Sequence, residues 1–471
     1  MAVARSDYLA PQPYSFRDPD ARLSLLEDRV VRYVRPEMAD ELRSFLSSPI
    51  YEQLVARGCM VSTRVSPAED GGLLLEHPRI FFPSYCWEWT RSMWLEAGHL
   101  TLELARMLLE HGFLLKDATP RNILFENCSP VFVDIGSVIR RPKGTPIWTA
   151  YAQFVRTFIL PLLAERLLGW PLSMSANKRD GYEPHDLYRK LGFGSRFRPS
   201  VFSMVTMPSM LDGFARSERL EKVLASQVDD VRACASLKRS FSQLERALDR
   251  AAASASKSIW STYDADAPFG QDETRRDKQE FVAKALSKVG AKRVLDIGAN
   301  VGTFSRVAAS IGASVVALER DNEASDANFR MSRESRASVL PLNIDFSRPT
   351  PATGWNNGET LSFDCRAEQR FDVVMALAVI HHMLAADQVP LPFVEQALSR
   401  YSRRYLVLEW VPVADEGFRH LSRGRDALFA HLTPEYSRSV FGERFHMVAE
   451  KMLSSGRQLW FLEKKRTVES E

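Results

Sequence analysis

Asp296, Gly298, Asn300 and Gly302 sit in VLDIGANVGTFSRVA (294–308), and Glu319 ends the next apolar run, SVVALE (314–319). Glycines at such a turn let the backbone bend and let a ligand come close. An acid at Glu319 is placed to accept hydrogen bonds from both hydroxyls of a ribose. A pyrophosphate binder would use G-x-G-x-x-G, whereas this chain has G-A-N-V-G with Asp296 just ahead of it. A carboxylate there repels a pyrophosphate and attracts a cationic amino-acid group. His381 and His382, in FDVVMALAVIHHM (371–383), are the candidate bases. Imidazole titrates near neutral pH and takes protons from hydroxyls or amines. Their side chains diverge and no third ligand sits at useful spacing, so metal binding is not expected.

The D-x-G-x-x-x-G run resembles motif I of class I S-adenosylmethionine-dependent methyltransferases. The resemblance implies that Asp296, Gly298, Asn300, Gly302 and Glu319 hold the cofactor. It also places Asp345, in LPLNIDFS (340–347), by the adenine amine, and Ala376 and Leu377 by the methionine portion. His381 and His382 would then face the acceptor. A sulfonium methyl is already electrophilic, so the protein mainly has to place an acceptor behind it, and positioning alone is worth up to about 7–11 kcal/mol in model systems. Glu409, in VLEWVP, reads as a pocket-edge acid, more simply a solvated end of the sheet.

A second group lies in LLKDATPRNILFENCSPVFVDIGS (114–137): Asp117, Asn122 and Asp134, followed by Ile135-Gly136. The series resembles the catalytic loop and metal-binding turn of protein kinases and aminoglycoside-type phosphotransferases. That resemblance makes Asp117 the base and Asn122 and Asp134 the Mg²⁺ ligands, with ATP as co-substrate, if this part of the chain is active. The match is incomplete. Leu115-Lys116 stand where the family has His-Arg, and no Gly-rich phosphate loop precedes them. The expectation is a kinase-like domain, active or degenerate.

Positioning these residues requires a particular set of elements. KRVLDIG (292–298), SVVALE, RFDVVMALAVI (370–380) and RYLVLEWVP (404–412) read as buried strands alternating with helices, hence a doubly wound α/β sheet covered on both faces. Upstream, VSTRVS, GLLLEHPRIFF and SYCWEW read as short strands, and HLTLELARMLLEHG (99–112) and YAQFVRTFILPLLAERLLG (151–169) as helices, the second interrupted at Pro161. Val223, Leu224, Val228, Val231, Leu237, Phe241, Leu244 and Leu248 recur at helical spacing in a connector. The expected organisation is an α+β kinase-like domain over 1–216, a helical connector over 217–257 and a Rossmann-like methyltransferase domain over 258–471.

The whole series resembles bacterial methyltransferases of the NoeA nodulation type. It runs from the LKDATPRN segment through W-S-T-Y (260–263), Lys278 before a helix, the glycine loop, SRPTPATGW (347–355), ALAVIHHM and LEWVP. The resemblance implies a small-molecule or saccharide acceptor. Trp260, Tyr263 and Lys278 are expected as a lid or as packing between domains, Trp355 near the cofactor, and FGSRFRPS (193–200) as a basic loop. Composition excludes other classes. Charges nearly cancel, with 62 Lys and Arg against 59 Asp and Glu, so nucleic acid is not the main partner. No apolar run has the length of a membrane span, and the first residues lack a signal-type apolar core. Five scattered cysteines imply a reducing compartment, the cytoplasm. The expected function is methyl transfer from S-adenosylmethionine. A bifunctional kinase–methyltransferase and a non-catalytic scaffold retaining both folds are the alternatives.

Overall fold

The computed structural model describes residues 15–211, 228–253 and 271–465. Trp260, Tyr263, Val223, Leu224 and the expected domain boundaries lie outside the described residues. The chain forms two compact units, Met1–Ser256 with Thr353–Thr360, and Lys257–Ala352 with Leu361–Glu471.

The first unit opens with an antiparallel sheet of β1 (Ala21–Leu25), β2 (Arg29–Val34), β3 (Arg64–Pro67) and β4 (Leu73–Pro78), in the order β1-β2-β4-β3. The strand β4 stops at Pro78, which has no N–H for the ladder. SYCWEW is not a strand. Its Glu88 carboxylate accepts the Tyr85 N–H at 2.9 Å and caps a short 3₁₀ turn, Cys86–Glu88, so local side-chain bonding overrides the aromatic β-preference. The helix Arg91–Glu110 follows, longer than expected at its start because Thr90 caps it. Next come β5 (Phe113–Leu115), the hairpin β6 (Ile123–Glu126) and β7 (Ser129–Phe132), and β8 (Val138–Arg140), which pairs with β5.

The helical run from Tyr151 to Leu168 is continuous but widens to a π turn over Val155–Ile159, just ahead of Pro161. Proline offers no N–H to the carbonyl four residues back, and the Leu160 N–H bonds five back to Val155. The helix Asp230–Ala252 buries Leu237, Phe241, Leu244 and Leu248 in this unit, while Val228 and Val231 are exposed. It crosses Arg91–Glu110 closely at Gly98, where a Cβ would stand 2.6 Å from Leu248. Trp148 packs edge-on against Phe241 and donates its Nε1–H to the Leu115 carbonyl at 2.8 Å. That bond anchors the start of the segment carrying Asp117.

The second unit is a seven-stranded α/β sheet. Its strands are β9 (Arg293–Ile297), β10 (Ser314–Glu319), β11 (Val339–Asn343), β12 (Phe371–Ala376), β13 (Ser402–Trp410), β14 (Phe445–Met452) and β15 (Gln458–Lys464). The order is β11-β10-β9-β12-β13-β15-β14. The first five are parallel, and β15 and β14 close the edge in antiparallel pairs. On one face Val294, Val315, Val373, Val407 and Phe461 pack on Val282, Leu286 and Ala308 of the helices Gln271–Val289 and Thr303–Ser310. The alternate residues Leu295, Val316, Val374 and Leu406 are equally buried, as a doubly covered sheet requires. The order reverses between β9 and β12, and ligands in such sheets bind in the crevice at the carboxyl ends of those strands.

Candidate functional site

That crevice is built from three loops. The first follows β9. Gly298 and Gly302 have φ of +70° and +78°, and Asn300 has +49°. A Cβ on Gly298 would meet the Val379 side chain at 2.6 Å, and one on Gly302 the Asn328 side chain at 1.9 Å. The glycines therefore serve both a left-handed turn and close packing. The Gly298 and Ala299 N–H groups bond the Leu318 carbonyl of β10 at 2.9 Å, which ties the loop to the neighbouring strand.

Glu319 ends that strand. Its carboxylate accepts N–H bonds from Asn300 and from Asp321, each at 2.9 Å. A carboxylate has about four lone-pair positions, so capacity remains for two hydroxyls. Burial pushes the Glu319 carboxyl above its ordinary range. Asp296 is more deeply placed. It is buried, accepts the Ser305 hydroxyl at 2.6 Å, and is pushed up to about 6 by burial. Neither acid has a cationic side chain bound to it in the described residues.

The second loop follows β11. There Asp345 caps a turn by accepting the Ser347 N–H at 3.0 Å. The third follows β12. Ala376 and Leu377 are buried, Ala378 is held at φ +49°, and Val379 seats against Gly298. A left-handed alanine is strained and marks a loop fixed by its surroundings. His381 and His382 begin the next helix, Ile380–Ala385, with ring centroids 4.4 Å apart. Burial, and then the neighbouring His382, hold His381 down at about 3; burial, and then Arg320, lower His382. Both rings are uncharged at neutral pH.

Sequence reading missed a charged network beside them. Glu409, at the end of β13, is fully buried rather than a solvated strand end. Its Oε1 accepts Lys278 Nζ at 2.8 Å and Arg457 at 3.3 Å, while its Oε2 is buried without a partner among the described residues. Lys278 lies within the helix Gln271–Val289, not before it. Arg457 also makes a two-pronged bond to Asp415, which caps the helix Glu416–Ser422 and faces His381. A partly patterned strand end in VLEWVP was the only local signal. Trp355, expected near the cofactor, is 73% exposed.

In the first unit, Asp117, Asn122 and Asp134 line one cavity of about 490 Å³. Asp134 Oδ1 accepts Arg32 at 2.8 Å, and its Oδ2 accepts the Ser137 hydroxyl. The Asn122 amide donates to Ser137 Oγ at 3.2 Å. No group of three or more His, Cys, Asp or Glu among the described residues could hold a metal ion. Asn122 and Asp134 are brought together through Ser137, with the Arg32 guanidinium on Asp134. In the FGSRFRPS loop, Arg196 stacks over Tyr188 and bonds the Leu191 carbonyl.

The fold defines an α/β unit whose sheet reverses its strand order beside a glycine loop, the candidate ligand site, preceded by a charged α+β unit. No family model matches the chain. The chain is similar to nodulation protein NoeA of Rhizobium meliloti (strain 1021), 29% identical over an alignment of 492 positions that covers 98% of this chain and 99% of the relative. Among solved structures, the N-methyltransferase NodS from Bradyrhizobium japonicum WM9 matches 42% of this chain and all of its own at 13% identity and a TM-score of 0.31. Magnesium protoporphyrin IX methyltransferase from Synechocystis PCC 6803, with bound SAH, matches 42% of this chain and 88% of its own at 17% identity and a TM-score of 0.30. The bifunctional kinase-methyltransferase WbdD matches 43% of this chain and 41% of its own at 20% identity and a TM-score of 0.31.

Proposed function

We propose that the second unit transfers a methyl group from S-adenosylmethionine to a small-molecule or saccharide acceptor. One observation carries the reading: a buried acid, Asp296, and a half-buried one, Glu319, stand at a glycine loop beside the sheet's switch point with no cationic side chain bound to either among the described residues. Buried charge is costly unless something compensates it. A ligand that brings positive charge and a pair of hydroxyls compensates both acids. The residues present fit that group. Glu319 keeps hydrogen-bonding capacity for a ribose, Asp296 supplies negative potential, Asp345 lies by the adenine position, and Ala376 and Leu377 give apolar wall. Asn300, Gly298 and Gly302 set the loop.

The bound cofactor supplies an electrophilic methyl; the chain supplies orientation and exclusion of water. His381 acts by hydrogen-bonding the acceptor rather than as a strong base, since a group that protonates near pH 3 retains little driving force to take a proton at neutral pH, and burial weakens His382 as a base in the same direction. We read the first unit as a kinase-like fold that has lost phosphotransfer, because Arg32 occupies Asp134. A cytoplasmic location agrees with five free cysteines, and no helix among the described residues is long and apolar enough to cross a membrane.

Isothermal calorimetry with S-adenosylmethionine, followed by a mass-spectrometric search for products gaining one CH₂, tests the reading. Binding with turnover is expected. Absence of binding overturns it, and binding without turnover favours the scaffold.

A further inference from the structure

FGSRFRPS and the residues after it form a surface that neither candidate site uses. Phe193–Phe197 makes a 3₁₀ turn, and a helical run from Pro199 to Leu211 follows. The inner side of that run is pinned. Val201, Met204, Val205 and Thr206 are buried, and Thr206 Oγ1 donates to the Arg196 carbonyl at 2.8 Å, which fastens the turn to the helix. Ahead of Pro208 the helix widens to a π turn, and the Met207 N–H bonds five back to the Phe202 carbonyl. A turn of that size sets Phe202 and Met207 on one outer side, with Met210 and Leu211 an ordinary turn further on.

Six of the nineteen large apolar side chains exposed among the described residues belong to this stretch: Phe193, Phe197, Phe202, Met207, Met210 and Leu211. Exposed apolar residues scattered singly are ordinary; a cluster on one segment marks an interaction surface. Phe193 is 77% exposed and Phe197 55%, and their rings meet edge to face at 5.1 Å, so they project as a pair. The charge around them has one sign. Residues 187–211 hold Arg189, Lys190, Arg196 and Arg198 and no acid. Arg189, Lys190 and Arg198 are exposed and pair with no carboxylate among the described residues. The acids of the helices packed against this surface are engaged elsewhere. Glu183 and Asp186, at Pro184–Tyr188, bond Arg156 and Lys178, and Asp230, Glu245 and Asp249 of Asp230–Ala252 bond Arg141, Arg106 and His99. Burial, and then Arg198, lower the Arg166 guanidinium, a second sign of local positive potential.

We propose that this surface of the first unit docks on an anionic membrane, with Phe193, Phe197 and the apolar side of the helix entering the headgroup boundary and Arg189, Lys190 and Arg198 holding lipid phosphates. Charge decides the occupant. The chain's own residues 212–227, outside the described residues, carry three acids and three bases and so bring no net charge to match. A second copy would oppose like charges. An anionic bilayer offers both negative charge and apolar depth. The inference does not depend on methyl transfer by the second unit.

Flotation of the full chain with lipid vesicles tests it. Binding is expected to equimolar phosphatidylcholine and phosphatidylglycerol, not to phosphatidylcholine alone, and should fall as salt rises. Phe193→Ser with Phe197→Ser should weaken it about tenfold or more at unchanged charge. Arg189→Gln, Lys190→Gln and Arg198→Gln together should weaken it about a hundredfold, at roughly fivefold for each cation near an anionic surface. All these positions are exposed, and a thermal melt matching wild type shows each variant folded. Absence of binding, equal binding to neutral vesicles, or binding that survives either set of substitutions overturns the proposal. So does a lipid-free dimer in sedimentation velocity that is lost in Phe193→Ser with Phe197→Ser, which would assign the surface to a second copy.

Discussion

Replacing Asp296 by Asn should stabilise the ligand-free protein while damaging the site. The carboxyl is fully buried and its ordinary value of 3.8 rises to about 6 in the fold. At about 1.4 kcal/mol for each tenfold change in proton affinity, that rise corresponds to roughly 3 kcal/mol. The sign follows from linkage. The unfolded chain ionises Asp296 near 3.8, whereas the folded chain resists until about 6. Below about pH 4 the group is protonated in both states and costs nothing; between there and pH 6 the folded state loses stability as pH rises; above that the full penalty stands. Asn has no charge to bury and can still accept the Ser305 hydroxyl. Urea melts of the ligand-free chain should therefore show Asp296→Asn more stable by about 3 kcal/mol near pH 7.5, with the difference closing toward pH 4. In thermal melts the gain corresponds to about 6–12 °C for a unit of this size. Calorimetry on the same variant should show S-adenosylmethionine affinity reduced by about tenfold or more, because a charged partner is lost. A variant that is less stable near neutral pH, or a difference that does not change with pH, would refute the account of Asp296 as an uncompensated buried acid.

Glu319→Ala should weaken S-adenosylmethionine binding at least tenfold, since hydrogen bonds to a charged group contribute about 1.5–3 kcal/mol; an unchanged calorimetric affinity would remove Glu319 from the ribose contact. Gly302→Ala should lower stability by about 1–3 kcal/mol and cut cofactor affinity, because the residue sits at φ +78° with Asn328 in the way; a melt matching wild type would show that the loop relaxes at little cost. Glu409→Gln should destabilise the protein by about 3 kcal/mol by leaving Lys278 and Arg457 short of charge, and Lys278→Met added to it should recover part of the loss in a double-mutant cycle. Additive losses would show that Lys278 and Glu409 do not act as a pair.

Local features of the sequence carried much of the second unit. The glycine loop, the Asp296 before it and the Glu319 after the next strand lie within one strand–loop–helix–strand stretch, so their spacing encodes their geometry. The strands β9 to β13 are apolar on both sides and stand out as continuous runs. The strand β14 does not, because it is an exposed edge with charged residues along it. Strands β1 and β2 were missed for a related reason: Arg22, Arg29 and Arg32 break their apolar pattern. Contacts distant in sequence left no trace. Arg32 meets Asp134 across 102 positions and Lys278 meets Glu409 across 131. The helical readings at Leu237 to Leu248 held because their period is local, while SYCWEW failed because one carboxylate capped its own turn.

The source of positive charge separates the two candidate sites. In the first unit Asp134 is answered from within, by Arg32 on β2. In the second, Asp296 and Glu319 are answered only by backbone N–H groups and one hydroxyl, and both resist ionisation. Lys278, on the helix Gln271–Val289, and Arg457, in the turn before β15, belong to the same unit, yet they are spent on Glu409 and Asp415. An apolar residue at 296 would relieve the burial cost at once. Keeping an acid there costs stability, which is sensible only where something outside the chain supplies the missing charge. In the second unit the unanswered carboxylates, rather than the cluster of charges around Glu409, mark where a ligand is needed.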